Sequence, residues 1–357
     1  MKKVGWILLC AVVLCCCTGC RDREENHDLT VVAGIAVDGK NGDYHLVTET
    51  LTAGGEQEGG KRLLTPSGGV TLNGALLETA NLTAQQLYYT HAQTLVVSRG
   101  LAEESLEPLL QALERQNSFR LSLRLVVAQE DAAGLLSLQE PQNNAASFQL
   151  RSMADTSWHN ATSPDTPLYR FLADAGEPGV QGILPLAGLR KEGRGEAQKQ
   201  ALEILGTALF RDYTLVDTLD DRESQALLWM RESANGGLLE DENLALTVVG
   251  CRSRLQCDPQ GAHIRLTLEL QALEGSNGKD LEQRAEALAE QRCRQVLDRL
   301  QELNCDAIGL GKRLMQRYPS ETELVKTGWS RRFPSYPVEI TVEAKLRDQG
   351  RVKEDVR

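Results

Sequence analysis

The chain has 357 residues and carries 39 Lys and Arg against 50 Asp and Glu, a net charge of −11 that makes nucleic acid a poor partner, since affinity for it rests on neutralised phosphates. Hydrophobic residues at 41% and charged ones at 25% are ordinary fractions and exclude wholesale disorder. The length exceeds one ordinary core and predicts two or three domains, while 4% aromatic content offers little for a stacking platform or an aromatic ligand box.

The N-terminus reads as a leader. Lys2 and Lys3 precede an uncharged run from Val4 to Thr18, strongly apolar through Ile7, Leu8, Leu9, Val12, Val13 and Leu14, and small residues then lead to Cys20 and a polar segment. Positive, apolar, small, polar is the order of a secretory signal peptide. The apolar run is at or below the ~17 residues that mark the lower limit of a spanning helix, so a retained anchor is only the competing reading. Thr18-Gly19-Cys20 resembles the end of a bacterial lipobox, in which a small residue before the cysteine admits the peptidase; Cys15, Cys16 and Cys17 follow bulky Leu14 or another cysteine and fail that test. Cys17 stands where a lipobox usually carries Leu. The expectation is a signal peptide over 1–19, a diacylglyceryl group and a further acyl chain on Cys20, and a tether over 20–28. Two chains are the usual threshold for stable anchoring, at about 0.8 kcal/mol per buried methylene. Loss of Lys2 and Lys3 takes the net charge from −11 to −13, so membrane contact should come from the lipid and not from a basic patch.

Downstream, "LTVVAGIAV" at 29–37 is a β-branched strand, "DGKNGD" supplies turn residues, and "YHLVTETL" alternates as the returning strand of a hairpin. "TAGGEQEGGKRLLTPSGG" reads as a flexible loop. Helical spacing covers 71–87, a short strand 92–98, one amphipathic helix through Leu101, Leu106, Leu109, Leu110 and Leu113, and a strand 120–128. Asn, Gln, Ser and Pro enrichment from about 137 marks a boundary, after which short helices are expected near 146–158 and 165–174. Two β-like runs, "VQGILPLAGLR" and "LEILGTALFRDYTLVDTL", flank a charged loop, and "DDRESQALLWMRES" is a helix opened by Asp. The last third predicts a hairpin turning at Asp258-Pro259-Gln260-Gly261 and a long helix with Ala285, Ala289, Cys293, Val296, Leu300 and Leu303 on one stripe. A shorter helix near 306–317, the aromatic segment "GWSRRF" and a strand "VEITVEAKL" follow. The fold class is α+β in three mixed α/β domains, 29–136, 137–237 and 238–357, each a mainly antiparallel sheet with helices packed on it.

The catalytic inventory is thin. His27, His45, His91, His159 and His263 are far apart and show no metal-ligand spacing, and no phosphate-cradling loop or nucleophile motif occurs. His45 and Glu49 share one strand face, which reads as solvated, and His91 opens a buried-looking strand as a hydrogen-bonded strand-end residue. Four cysteines lie beyond Cys20: Cys251, Cys257, Cys293 and Cys305. Their compartment allows a disulfide among three possible pairings, while Cys293 on a helix stripe equally suits a small buried hydrophobe. Their spacings miss the usual zinc patterns. The reading is a non-enzyme with no metal and no cofactor beyond the covalent lipid.

Four segments in order resemble one family. "REENHDLTVVAGIAVD", ending at Asp38, is similar to the opening strand of the Ger(x)C spore-germination lipoproteins; "TPSGGVTLNGALLETANLTAQQLYYTHAQTLVVSRGLA" resembles their central signature; "GTALFRDYTLVDTLDDRESQALLWM" their G-x-A-x-F segment; and "GWSRRFPSYPVEITVEAKLRDQG" their closing tryptophan, phenylalanine and strand. "CDAIGLGKRL" adds an Asp306 and glycine pattern of that family. The resemblance implies the C subunit of a nutrient germinant receptor, an accessory protein of three mixed α/β domains held outside the spore inner membrane beside integral A and B subunits. It need not bind a small molecule itself. The family positions carried over are Cys20 for the lipid, and Pro66, Gly69, His91, Gly206 and Phe210, which more often shape turns and fill cores. The alternative is a solute-binding lipoprotein of a transporter, disfavoured because strand pairs dominate over repeated β-α alternation.

Overall fold

The computed structural model describes residues 29–52, 61–83, 86–116, 118–138, 145–192, 199–241, 244–273 and 280–347. The leader, Cys20 and the tether lie outside them. Strand β1 (Leu29–Lys40) is the predicted β-branched run, and β2 (Asp43–Thr52) returns beside it through a turn where Gly39 and Gly42 take φ of 91° and 88°. Next comes β3 (Lys61–Gly69), placed in the segment expected to be a loop. Its Gly and Pro content hid it, yet β3 is an edge strand, where Pro66 is tolerated. Helix α1 (Leu72–Leu82) starts at Thr71, whose hydroxyl accepts from the Gly74 N–H at 3.0 Å.

After β4 (Gln86–Tyr88) and β5 (Thr94–Ser98), the single helix expected through Leu113 is two, α2 (Arg99–Glu104) and α3 (Glu107–Arg115). The break falls at Ser105, extended at φ 176°, just ahead of Pro108 in the first turn of α3. Strand β6 (Arg124–Ala128), α4 (Ala132–Ser137), α5 (Ala146–His159) and α6 (Leu168–Gly176) follow. The second β-like run divides at Asp212, with φ 57°, so that β7 (Ile183–Glu192) is followed by a hairpin of β8 (Lys199–Arg211) and β9 (Thr214–Leu219). Helix α7 (Asp221–Glu232) carries a reciprocal capping box between Asp220 and Glu223. The remainder is β10 (Leu238–Asp241), β11 (Leu244–Asp258), β12 (Gly261–Ala272), α8 (Leu281–Glu302), α9 (Leu310–Arg317), α10 (Thr322–Arg332) and β13 (Val338–Leu346). The β11–β12 turn falls at the expected Asp258–Gly261.

The described strands form two sheets. One has the order β3-β2-β1-β5-β6-β7-β8-β9, with β4 paired to the start of β1; the other is β10-β11-β12-β13. Antiparallel hairpins flank the first sheet and β11–β12 forms the middle of the second, as the fold class anticipates, but β13 runs parallel to β12 at the edge of the second sheet, and β1, β5, β6 and β7 run parallel through the centre of the first. Buried on both faces, these strands are the continuous apolar runs expected of a parallel centre. The boundary expected at 136/137 therefore falls inside one sheet, because β6 pairs directly with β7 (Val127↔Leu186). Helix α8 lies on the second sheet with its stripe Ala285, Ala289, Cys293, Val296 and Leu300 buried.

Candidate functional site

Three carboxyl groups each hold the N-terminus of a helix, Asp38 and Glu49 from distant strands and Asp306 from just ahead of its own helix, and they organise the polar interior. On β1, Asp38 accepts from the Ala132 and Ala133 N–H groups, both at 2.8 Å, at the start of α4. Desolvation, followed by a carboxyl–carboxyl hydrogen bond to Asp131, pushes its titration up to about 6. On β2, Glu49 is fully buried, which corrects the expected solvated face; the bulge in β1 at Val32/Gly34 lies opposite it. It accepts from the Ala146 N–H at 2.9 Å and the Ser147 N–H at 3.0 Å at the start of α5, where Ala145 offers no side-chain cap. Arg62 on β3 pairs with it at 2.5 Å and donates to the Leu136 and Leu138 carbonyls. His45 on the same strand is exposed, 3.4 Å from Asp43.

The third, Asp306, lies where the two sheets join. Its Oδ1 accepts from the N–H groups of Gly309 (2.8 Å) and Leu310 (3.0 Å), and its Oδ2 from those of Gly311 (2.9 Å) and the Trp329 indole (2.9 Å). Burial pushes this carboxyl above the usual aspartate range, against the pull of its four donors. Each oxygen takes two N–H groups, which is the hydrogen-bonding pattern of a carboxylate. Above it, the 179–181 segment docks by backbone: Lys312 N–H donates to the Gly179 carbonyl (2.8 Å), and Gln181 N–H to the Asp306 carbonyl (3.0 Å). Gly179 (φ 76°) and Gly311 face each other so closely that a Cβ on Gly179 would lie 2.5 Å from the Lys312 nitrogen, and one on Gly311 would lie 2.7 Å from the Trp329 ring.

Cations complete the joint. Arg231 of α7, nearly buried, pairs with Asp174 of α6 at 2.5 Å and donates to the Gln181 (3.0 Å) and Ala307 carbonyls, and Lys312 reaches Asp174 from the other side at 3.9 Å. Arg299 of α8 forks onto Asp217 (2.7 Å), Glu223 (2.6 Å) and the Thr218 carbonyl (3.0 Å). A cleft of about 350 Å³ opens beside this joint, lined among others by Arg211, Asp212, Asn304, Asp306 and Lys326. That volume is at the small end for a ligand site, and the oxygens of Asp306 are already committed to the fold.

The sequence-predicted residues do not converge here. Pro66 is exposed on β3; the Gly68 N–H beside it donates to Glu78, not to β2, so by parity the position of Pro66 also faces away from the ladder. Gly69 packs on the first turn of α1, where a Cβ would lie 2.6 Å from the Ala75 nitrogen. His91 ends a one-turn 3-10 helix three residues ahead of β5; it is exposed and its ring lies 5.3 Å from that of Tyr88, so it is not the start of a buried strand. Gly206, at φ 138°, is a bulge residue of β8, and a Cβ there would lie 2.1 Å from the Leu219 carbonyl oxygen. Phe210 is fully buried and packs edge-on against Phe171 at 4.9 Å. The four cysteines are free: burial pushes Cys251, Cys257 and Cys305 up to about 12 and Cys293 higher still, and the Cys305 thiol lies 3.1 Å from the Phe210 carbonyl. Sequence reading reached Asp306 and the Trp329 segment separately but missed their pairing and Arg231, and it placed Glu49 on a solvated face; Asp306 three residues before Gly309, in the pattern of an N-cap, was the available signal.

Two family models match this chain in order: the spore germination protein N-terminal domain over residues 22–189, and the spore germination B3/GerAC-like C-terminal domain over residues 205–350. The putative spore germination protein YfkR of Bacillus subtilis (strain 168) is 24% identical over 66% of this chain and 63% of its own length, so the match spans less than two thirds of that relative. Spore germination protein KC of the same organism is 22% identical over 96% of this chain and 94% of its own, and spore germination protein YndF 21% identical over 99% and 98%. The crystal structure of the GerBC protein shares the fold, with a TM-score of 0.54 at 17% identity over 88% of this chain and 96% of that one. With both models matched in sequence order, this chain belongs to the GerAC family of spore germination proteins, the Ger(x)C family its motifs resemble.

Proposed function

We propose that this chain is the C-type subunit of a nutrient germinant receptor, anchored on the extracytoplasmic face of the cell or spore inner membrane by a lipid on Cys20 and assembled there with two integral-membrane partners, the A and B subunits. It acts without chemistry of its own and without a cofactor. The observation that carries this reading is the ordered match of both family domains directly behind Thr18-Gly19-Cys20. The geometry supports it: Asp38, Glu49 and Asp306 are each held by backbone N–H groups, and the thiols are buried and pushed up, so these groups serve the fold.

The test is a pull-down from detergent-solubilised spore inner membranes with wild type and Cys20→Ala side by side. Two polytopic proteins recovered with the wild type and reduced with Cys20→Ala are expected. Recovery of the wild type alone, or with transporter ATPase components, overturns the receptor reading and returns the solute binder.

A further inference from the structure

From the structure we infer that one end of the first sheet, where the parallel strands begin, rests against the bilayer, its exposed aromatic and aliphatic side chains seated at the lipid headgroup level. The inference rests on the proposed lipid anchor at Cys20 and adds an orientation to it.

The described residues open at Leu29, the first residue of β1, and only nine Cα steps separate it from Cys20. At ~3.4 Å per residue those steps span at most about 30 Å, so the start of β1 stays near the membrane. Because β5 and β6 run parallel to β1, their starts face the same way, and β4 pairs with β1 from Leu29↔Gln86 to Val31↔Tyr88. The segments leading into these strands therefore form one surface. Tyr89 packs on Phe119 at 5.0 Å between ring centroids, Thr90 donates to the Ser118 carbonyl, and the Tyr169 N–H donates to the Leu121 carbonyl at 2.9 Å.

Two properties of this surface fit a lipid interface. Tyr88, Leu121 and Tyr169 are 38%, 48% and 55% exposed, and Leu82, at the end of α1 that leads into β4, is 60% exposed. A tyrosine with an apolar body and a polar tip is suited to the headgroup boundary. The second property is charge. In a chain with 50 acidic residues, none occurs between Glu78 and Glu103 or between Glu114 and Glu130, the two stretches that contain β4, the 3-10 turn and the entries to β5 and β6. Arg120 is exposed there, and Asp165 at the rim is paired with Arg124 at 2.5 Å. With acidic residues absent from both stretches, Arg124 already paired and no cluster of basic side chains among the described residues there of the kind that recruits anionic lipid, the surface suits a zwitterionic headgroup layer.

The test uses the full acylated chain in phosphatidylcholine vesicles that contain headgroup spin-labelled phosphatidylcholine, with one introduced thiol carrying an NBD fluorophore. Leu121→Cys and Tyr169→Cys place the label on the surface, and Glu130→Cys, exposed just past the far end of β6, is the control; the four native thiols are buried or half-buried and pushed up. Quenching at 121 and 169 at least twofold greater than at 130 is expected. Equal quenching at all three positions in protein that floats with the vesicles overturns the orientation. Shielding at 121 and 169 that appears only after integral-membrane partners are added assigns the surface to protein and also overturns it. Protein that does not float refutes the anchor itself, a separate outcome.

Discussion

Asp306→Ala is the perturbation that bears most directly on how the two sheets are held. It removes the acceptor of three backbone N–H groups and one indole N–H, all buried. A buried donor left unpaired costs about 1–3 kcal/mol, while deleting the carboxylate relieves its own desolvation penalty. The balance is a loss of about 3–5 kcal/mol, the range for breaking a buried charged constellation from one side. Asp306→Asn keeps one carbonyl oxygen for Gly309 and Leu310 but turns an NH2 toward Gly311 and Trp329, so two donors go unpaired and the cost is about 2–3 kcal/mol. The assay is urea unfolding read by far-UV circular dichroism, with tryptophan emission as a local probe, completed by a cycle with Trp329→Phe. A charge-assisted bond of about 1.5–3 kcal/mol should appear as the coupling between positions 306 and 329. An alanine cost below about 1 kcal/mol, or additive single variants, would refute the view that this carboxyl ties helix α9 to Trp329.

The remaining expectations follow from single positions. Gly206→Ala forces a Cβ to 2.1 Å from the Leu219 oxygen at φ 138° and should cost more than about 2 kcal/mol in the same urea assay; a neutral result would show that the β8 bulge relaxes freely. For Asp38, a folded value of about 6 stands above the unfolded ~3.9, so the fold holds this proton more tightly than the unfolded chain does; the group's contribution is largest below pH 4 and falls as pH rises to 6. Asp38→Asn should therefore become progressively more stable relative to wild type from pH 4 to 7, and a difference that does not vary with pH would contradict this. The four cysteines after Cys20 should resist a thiol reagent in the native protein and all react in denaturant without reductant, counted by intact mass; two unreactive thiols would reveal a disulfide.

Much of this fold is legible in the sequence because local rules and tertiary demands agree there. The stripe of α8 is spaced for a helix and is buried as one, Asp220 and Glu223 spell a capping box and form it, and Asp258–Gly261 is turn chemistry at a turn. Legibility fails where the deciding partner is distant. β3 contains Pro66, Gly68 and Gly69 and becomes a strand because β2 offers a ladder from Tyr44↔Gly69 to Thr52↔Lys61. Glu49 alternates with His45 as though both faced water, but the start of α5, 97 residues on, supplies two N–H groups that bury it. The joint was hidden for the same reason: Asp306 is local to α9, whereas Arg231, Asp174 and Gly179 reach it from three separate segments.

The two family domains meet at a place that bears on how the protein works. The first match ends at residue 189 and the second begins at 205, positions that belong to β7 and β8. Those strands form one antiparallel hairpin, registered from Ile183↔Leu209 to Glu192↔Lys199, and β7 is in turn paired in parallel with β6 of the first domain. A sheet shared across the family boundary cannot separate there without exposing a row of backbone donors and acceptors, each a costly group to leave unpaired. Arg299 and Arg231 then fix the second sheet to the same body through α7. The two family domains therefore share one continuous sheet, and the backbone pairing of β6, β7 and β8 opposes a hinge at the boundary between them.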